Sequence, residues 1–332
     1  MPGPLGQYAL VARDLGSAFV AAVLGAGERQ LARAPRTATL IADWPGDAAA
    51  DALAMRFNAA LHALARRGDD PALGALYAKR TGDFDAVIGD AMAAADGFIA
   101  DWMRLPPQTN EVGRAAAIMA ALMTLRGIHD LPVELLELGA SAGLNLNLAY
   151  YAYDLGGVRV GRRDSPVRIA PDWRGQAPVA RPVEIVATRG VDLRPLAAAD
   201  RQARERLMAY VWADEPERAE RLRHALAIAD DVPPPIACDD IARWLPVELA
   251  HPPADGICRV VIHTMALQYC STATRAQVTD AMAAANYPLA RIGFEWTDAR
   301  DAVHLTLTTY PDGHVRHLAT CHAYGNWIDW HG

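Results

Sequence analysis

The feature that most constrains this chain is a change of hydrophobic period near residue 130. Before it, apolar residues recur at helical spacing. Leu53, Phe57, Leu61 and Leu64 share one face, and Arg66-Arg67-Gly68 followed by Pro71 ends the run. Val11–Leu24, Phe84–Met103 and Val112–Leu125 repeat the pattern, and Arg104-Leu105-Pro106-Pro107 breaks it, leaving Thr109 or Asn110 to cap the next helix. After residue 130, short apolar or β-branched runs (Val133–Leu138, Val183–Asp192, Ile236–Cys238, Ile257–His263, Ala290–Trp296) alternate with helical stretches at 196–212, 215–228 and 275–285. Strands separated by helices predict a mainly parallel, doubly wound α/β sheet. Ala302–Tyr310 and Val315–Cys321 flank Pro311-Asp312-Gly313, a turn signal that adds an antiparallel C-terminal hairpin. Only Thr297–Asp301 separate Trp296 from that hairpin, so the strands on either side are expected to pair as antiparallel neighbours. Residues 150–182 read as an inserted hairpin or loop around Trp173, and Trp327 and Trp330 as plugs at the edge of the core.

Charge and composition remove whole classes of function. Acidic residues outnumber basic ones 39 to 32, a net charge of −7, which argues against a nucleic-acid grip built on bulk positive charge. Lys79 is the sole lysine, so there is no Gly-x-x-x-x-Gly-Lys phosphate loop, and Schiff-base chemistry would rest on that one side chain. The longest nearly uncharged apolar run, Ala115–Leu125, falls far short of the roughly 20 residues a membrane-spanning helix needs. Met1–Leu15 lacks the pattern of a secretory signal. Cys238, Cys258, Cys270 and Cys321 form no Cys-x-x-Cys pair and read as free thiols of a reducing compartment. His314, His317, Cys321 and His322 alternate between strand faces and do not converge on a metal. The expectation is a cytoplasmic protein without a metal, a membrane or a nucleic-acid partner, acting on a small molecule.

Chemistry concentrates after the first strand. In Glu137-Leu138-Gly139-Ala140-Ser141-Ala142-Gly143-Leu144-Asn145, a strand runs through a small-residue turn into a predicted helix. Gly139 is free to take a positive φ, Ala140, Ser141 and Ala142 let a ligand approach the backbone, and Gly143 packs the helix start on the strand. The helix N-terminus offers amide donors. Asp192, at the end of the second strand, is placed to accept the hydroxyls of a ribose or to cap the next helix. His263 comes to the end of a buried strand as either a general base or a hydrogen-bonded core histidine. Tyr269 and Glu295 follow on the same rim as substrate contacts. Polar groups cluster at Asn110, Glu111 and Arg114, where Glu111 and Arg114 share a helix face; the cluster reads as a capping box or as a clamp for a ligand carboxylate.

These strings resemble a known pattern. Glu137 to Gly143 resembles the first motif of class I S-adenosylmethionine (SAM) methyltransferases, with Ser141 at the middle glycine. Gly190-Val191-Asp192-Leu193 resembles their second motif, and Ile236–Asp240 their adenine-side acid motif. Arg259–Tyr269 resembles their fourth strand and the segment after it. Over almost the whole chain, the sequence resembles an uncharacterised bacterial family of unknown function, numbered 2332. The strings that carry this are Gln108-Thr109-Asn110-Glu111 with Arg114, the glycine turn, Arg189-Gly190-Val191-Asp192, Tyr210-Val211-Trp212-Ala213-Asp214 with Arg218, and Gly325-Asn326-Trp327 with Trp330. The resemblance implies a Rossmann-like SAM-binding domain over 106–332 behind a helical lid over 1–105. Around SAM it implies Asn110, Glu111, Arg114, Glu137, Gly139, Ala140, Ser141, Gly143 and Asn145, then Asp192, Leu193, Asp239, Asp240 and His263. The implied reaction is O- or N-methylation, with His263, Tyr269 and Glu295 on the catalytic side. A non-catalytic SAM- or nucleotide-binding module stays open. A nicotinamide-dependent oxidoreductase is disfavoured because the turn lacks Gly-x-Gly-x-x-Gly spacing.

Overall fold

The computed structural model describes residues 2–332. In chain order the elements begin with helices α1 (Pro4–Asp14), α2 (Ala18–Arg29), α3 (Pro35–Ala42), α4 (Leu53–Arg67), α5 (Pro71–Lys79), α6 (Phe84–Met103) and α7 (Ala115–Arg126). Strands β1 (Val133–Leu138), β2 (Ala152–Leu155), β3 (Val158–Gly161), β4 (Arg168–Ile169), β5 (Asp172–Arg174) and β6 (Ile185–Asp192) follow. Next come α8 (Arg201–Tyr210), α9 (Pro216–Asp231), β7 (Ile236–Cys238), α10 (Ile241–Leu249), β8 (Cys258–Thr264) and α11 (Thr272–Ala283). The chain closes with β9 (Leu289–Trp296), β10 (Val303–Tyr310), β11 (His314–Cys321) and β12 (Trp327–Trp330). No helix of the described residues is long and apolar enough to cross a membrane.

The chain divides into two compact units: residues up to Thr109 with Arg201–Glu220, and Asn110–Asp200 with Arg221–Gly332. This differs from a single break near residue 105, for a packing reason. Ala209 and Tyr210 of α8 bury against Ala59 and Ala63 of α4, and Trp212 joins the helical core. Asp214 accepts a 2.6 Å hydrogen bond from the Ser17 hydroxyl, which also caps α2. The predicted run Val11–Leu24 is two helices, because Gly16 takes a positive φ of 94° and Ser17 starts afresh.

The second unit is built on a nine-stranded sheet in the order β5-β12-β11-β10-β9-β8-β1-β6-β7. The run from β7 to β9 is parallel, and its winding reverses between β1 and β8. β9, β10 and β11 pair antiparallel, as the short link after Trp296 requires. Leu136, Leu138, Val191 and Val261 bury on one face with Trp244 and Leu245 of α10 and Val278 and Met282 of α11. β1 is buried along its whole length, which suits a central parallel strand covered on both faces. The 150–182 segment forms a small sheet, β3-β2-β4, and sends β5 to the edge of the large one. There Trp173 lies 5.4 Å from Trp330, and the C-terminal tryptophans belong to β12, a strand paired with β11 on one side and with the edge strand β5 on the other.

Candidate functional site

In open parallel sheets the crevice at the carboxyl ends of the strands, where the winding reverses, is the place for a ligand. Here that place lies above Leu138 and His263, which are register partners. The turn that follows β1 is built on left-handed backbone. Gly139 and Gly143 have φ of +71° and +68°, and between them Ser141 is left-handed at +56°. Asn110 (+37°) and Met265 (+56°), two more non-glycine residues with positive φ, adjoin the same turn and the end of β8. Such strained conformations gather where surrounding structure over-determines them.

The backbone amides of this turn are spent within the protein. Gly139 and Ala140 both donate to the Val191 carbonyl, at 2.9 and 3.0 Å, and Gly143 donates to Ala140. Ser141 donates to Asp192 Oδ2 at 2.9 Å. Ala142 and Leu144 both donate to Asn110 Oδ1 at 3.1 Å. The helix expected after Gly143 is a 3₁₀ turn, Leu144–Tyr150, so the glycine turn does not lead into an α-helical N-terminus. Asn110 is therefore the cap of the glycine turn. Replacing it with alanine removes the acceptor of two turn amides, and a loss of about 1–2 kcal/mol, the scale of a removed capping side chain, is expected in urea unfolding.

The glycines serve packing. A Cβ on Gly139 would stand 2.6 Å from Ala266 Cβ, one on Gly143 2.5 Å from Pro234, and one on Gly190 2.7 Å from Ala140. Gly139 thus presses the turn against the segment after β8, and a valine there would strain the fold before it met a ligand.

Asp192 sits at the end of β6 with both carboxylate oxygens engaged, Oδ2 by Ser141 and Oδ1 by the Arg194 amide at 2.8 Å. The next helix starts at Arg201, so Asp192 is not its cap. Leu193 beside it is 67% exposed. The acids after β7 are occupied: Asp240 caps α10 through the Ala242 amide, and Asp239 is ion-paired with Arg243, whose hydrogen bond holds its carboxyl below the ordinary range.

Of the two roles read for His263, general base or hydrogen-bonded core histidine, the geometry is that of the second. Arg291 Nε donates to its Nε2 at 2.8 Å, so Nε2 is the acceptor nitrogen and Nδ1 carries the proton, donated to Glu295 Oε1 at 2.7 Å. The ring is 2% exposed, and burial lowers its pKa. Gly293 makes room for it, since a Cβ there would lie 2.9 Å from the imidazole Cε1. Glu295 Oε1 also accepts from the Ala266 and Leu267 amides at 3.0 and 3.2 Å, which shapes the turn carrying Tyr269, 60% exposed. Its other oxygen, Oε2, is buried without a partner. Arg291 gave no motif to read; only register, which places Val261 beside it and His263 beside Gly293, brings it to the site.

On the opposite face of the sheet, Glu137 is 1% exposed. Its Oε1 accepts from Asn145 Nδ2 at 3.1 Å. Glu137 Oε2, Asn145 Oδ1 and Ser141 Oγ are buried without partners. Arg114 holds neighbouring loops, with Nε on the Ala323 carbonyl at 2.9 Å and Nη1 on that of Thr264 at 3.4 Å. Glu111 accepts from the Gly113 amide at 3.0 Å and faces Arg221 at 3.6 Å, so capping is part of its role. Among the described residues, no group of three or more His, Cys, Asp or Glu side chains is placed to hold a metal ion.

A family profile described as "Uncharacterized protein conserved in bacteria (DUF2332)" matches residues 4–330. The chain belongs to this family. No curated protein and no solved structure matches it. The strings through which this DUF2332 member resembles its family have structural reasons. Gly113 and Gly325 meet backbone to backbone, a Cβ on Gly325 falling 2.6 Å from the Gly113 carbonyl, which docks the C-terminal loop on the Asn110–Arg114 segment. The Tyr210–Asp214 string builds the helical unit, and buried Arg218 pairs with Glu215 at 2.5 Å.

Proposed function

We propose that this DUF2332 protein is a SAM-dependent methyltransferase acting on a small molecule. On this reading its second unit is Rossmann-like, and SAM lies across the crevice where the winding reverses between β1 and β8. The observation that carries the reading is the polarity of the glycine turn. The amides from Gly139 to Leu144 are taken by protein acceptors, while Glu137 Oε2, Ser141 Oγ and Asn145 Oδ1 are acceptors left buried and unpaired. A pyrophosphate needs donors at such a turn and finds none of these amides free. A ligand that brings N–H groups and positive charge fits. SAM has an ammonium and a sulfonium.

In this assignment Asp192 accepts from the ribose hydroxyls with its remaining lone pairs, and Leu193 and Asp239 lie on the adenine side. Arg114 faces the methionine carboxylate, for which a guanidinium is well suited. Bound there, SAM supplies an electrophilic methyl group. Methyl transfer is an in-line displacement that depends mainly on alignment, so the sequestered His263 is a positioning residue for Glu295 and the Tyr269 turn. The acceptor is a small molecule with an O or N nucleophile.

Titration calorimetry of the full chain with SAM, S-adenosylhomocysteine and NAD tests the proposal. The two adenosyl ligands are expected to bind and NAD is not. Asp192→Asn should weaken S-adenosylhomocysteine and adenosine alike, by about 10–100-fold, the worth of a charged hydrogen bond. Absence of binding by either adenosyl ligand would sink the reading.

A further inference from the structure

Glu137 is in an environment that a bare carboxylate does not tolerate. It lies in β1 with Gly190 of β6 and Ile262 of β8 beside it in register, neither of which offers a polar side chain. One oxygen receives the Asn145 amide and the other receives nothing. Asn145 is itself fully buried, with its own oxygen unpartnered. The charged and titratable groups facing Glu137 are few. Asp192 on β6 adds negative potential, and Arg114 before α7 adds positive potential. Tyr151, ahead of β2, is buried close enough to feel the Glu137 carboxylate, and its hydroxyl donates to the Leu144 carbonyl at 2.5 Å. A buried charge with a single hydrogen bond is costly, so the group stays neutral instead. Burial first, then Asp192, raises the Glu137 carboxyl to about 8, so that it is mostly the acid at neutral pH.

We propose that Glu137 is the specificity-determining residue of the crevice: it selects ligands that carry a protonated amine, and it exchanges its own proton for that amine. In the free protein Glu137 is a carboxylic acid. When an ammonium N–H docks against Oε2, the carboxyl proton leaves to solvent and a buried ion pair takes its place. No carbon bond changes, and about one proton is released per ligand bound. The inference rests on the SAM reading, because it gives Glu137 the amino-acid end of that ligand.

The experiment is calorimetry at pH 7 in phosphate and in Tris, buffers with low and high heats of ionisation. The probes are S-adenosylhomocysteine and 5′-methylthioadenosine, which keeps the adenosine and sulfur but lacks the amino acid. The heat of S-adenosylhomocysteine binding is expected to differ between the buffers by close to one proton, and that of 5′-methylthioadenosine to be the same in both. Glu137→Gln should abolish the difference and weaken S-adenosylhomocysteine at least tenfold, while leaving 5′-methylthioadenosine binding unchanged; that last result also shows that the variant is folded. Equal heats for S-adenosylhomocysteine in the two buffers, or a Glu137→Gln variant that binds it as wild type does, would overturn the role of Glu137 and leave the SAM reading standing. Failure of both ligands to bind wild type would overturn both.

Discussion

Arg259→Met is expected to destabilise the protein by about 3–5 kcal/mol, the cost of breaking a buried ion pair by removing one partner. The Arg259 side chain is 5% exposed and that of Glu134 11%, and their closest approach is 2.7 Å. Two guanidinium nitrogens of Arg259 donate to Glu134 Oε2. A third, Nη1, donates to the carbonyls of Glu248 and His251 at 2.7 and 2.6 Å and to the Tyr287 hydroxyl at 3.2 Å. One side chain therefore joins β1, β8, the end of α10 and the segment before β9 at the strand ends remote from the crevice. Methionine keeps most of the stem's packing and removes every donor, leaving Glu134 charged and buried. Glu134→Leu together with Arg259→Met should regain much of the loss, because no uncompensated charge is left behind. Urea unfolding of the wild type, Arg259→Met and the double variant checks this. A single-variant loss below about 1 kcal/mol would show that Glu134 finds water or another partner.

Glu137→Gln is expected to be more stable than wild type at alkaline pH, with the two alike in acid. A carboxyl whose pKa is raised on folding contributes stability that is fully present below its unfolded value and is lost as pH rises to the folded one. For Glu137 that window runs from 4.5 to about 8. Each pKa unit is worth about 1.4 kcal/mol, so wild type should lose on the order of 4 kcal/mol between pH 5 and pH 9 that the glutamine variant keeps. Chemical denaturation of both proteins at the two pH values measures it. Parallel pH dependence would mean that Glu137 is ionised and paired in the folded protein.

Much of the strand plan could be read directly from residue types. Val133–Leu138 and Ile236–Cys238 are strands over the predicted ranges, and Phe84–Met103 is a helix over its predicted range. Burial on both faces leaves a short run of apolar residues little choice but a central strand, and helical spacing over many residues leaves little choice but a helix. The antiparallel end of the sheet also followed from the brevity of Thr297–Asp301. Local reading failed where a distant side chain replaced a local bond. Leu144–Tyr150 did not become an α-helix, with Asn110, more than thirty positions away, taking the amides of Ala142 and Leu144. The tryptophans at 327 and 330 belong to a strand because β11 pairs with it at Trp330 and β5 of the 150–182 segment pairs with it at Trp327.

The site divides along the same line. Residue types in order along the chain were enough to place Asp192 and Glu295 at strand ends and Gly139 and Gly143 in the turn after β1, because tight turns demand glycine and polar groups are costly to bury in a strand core. Which atoms remain available was beyond reach of that order, since it depends on pairings across tens to hundreds of positions. Register puts Arg291 on His263 and so turns an apparent base into a support for Glu295. Alternation along β1 puts Glu137 on the face opposite Leu138 and His263, where a single amide meets it. Side-chain chemistry is written locally; whether a lone pair is spent or free is a property of the packed whole.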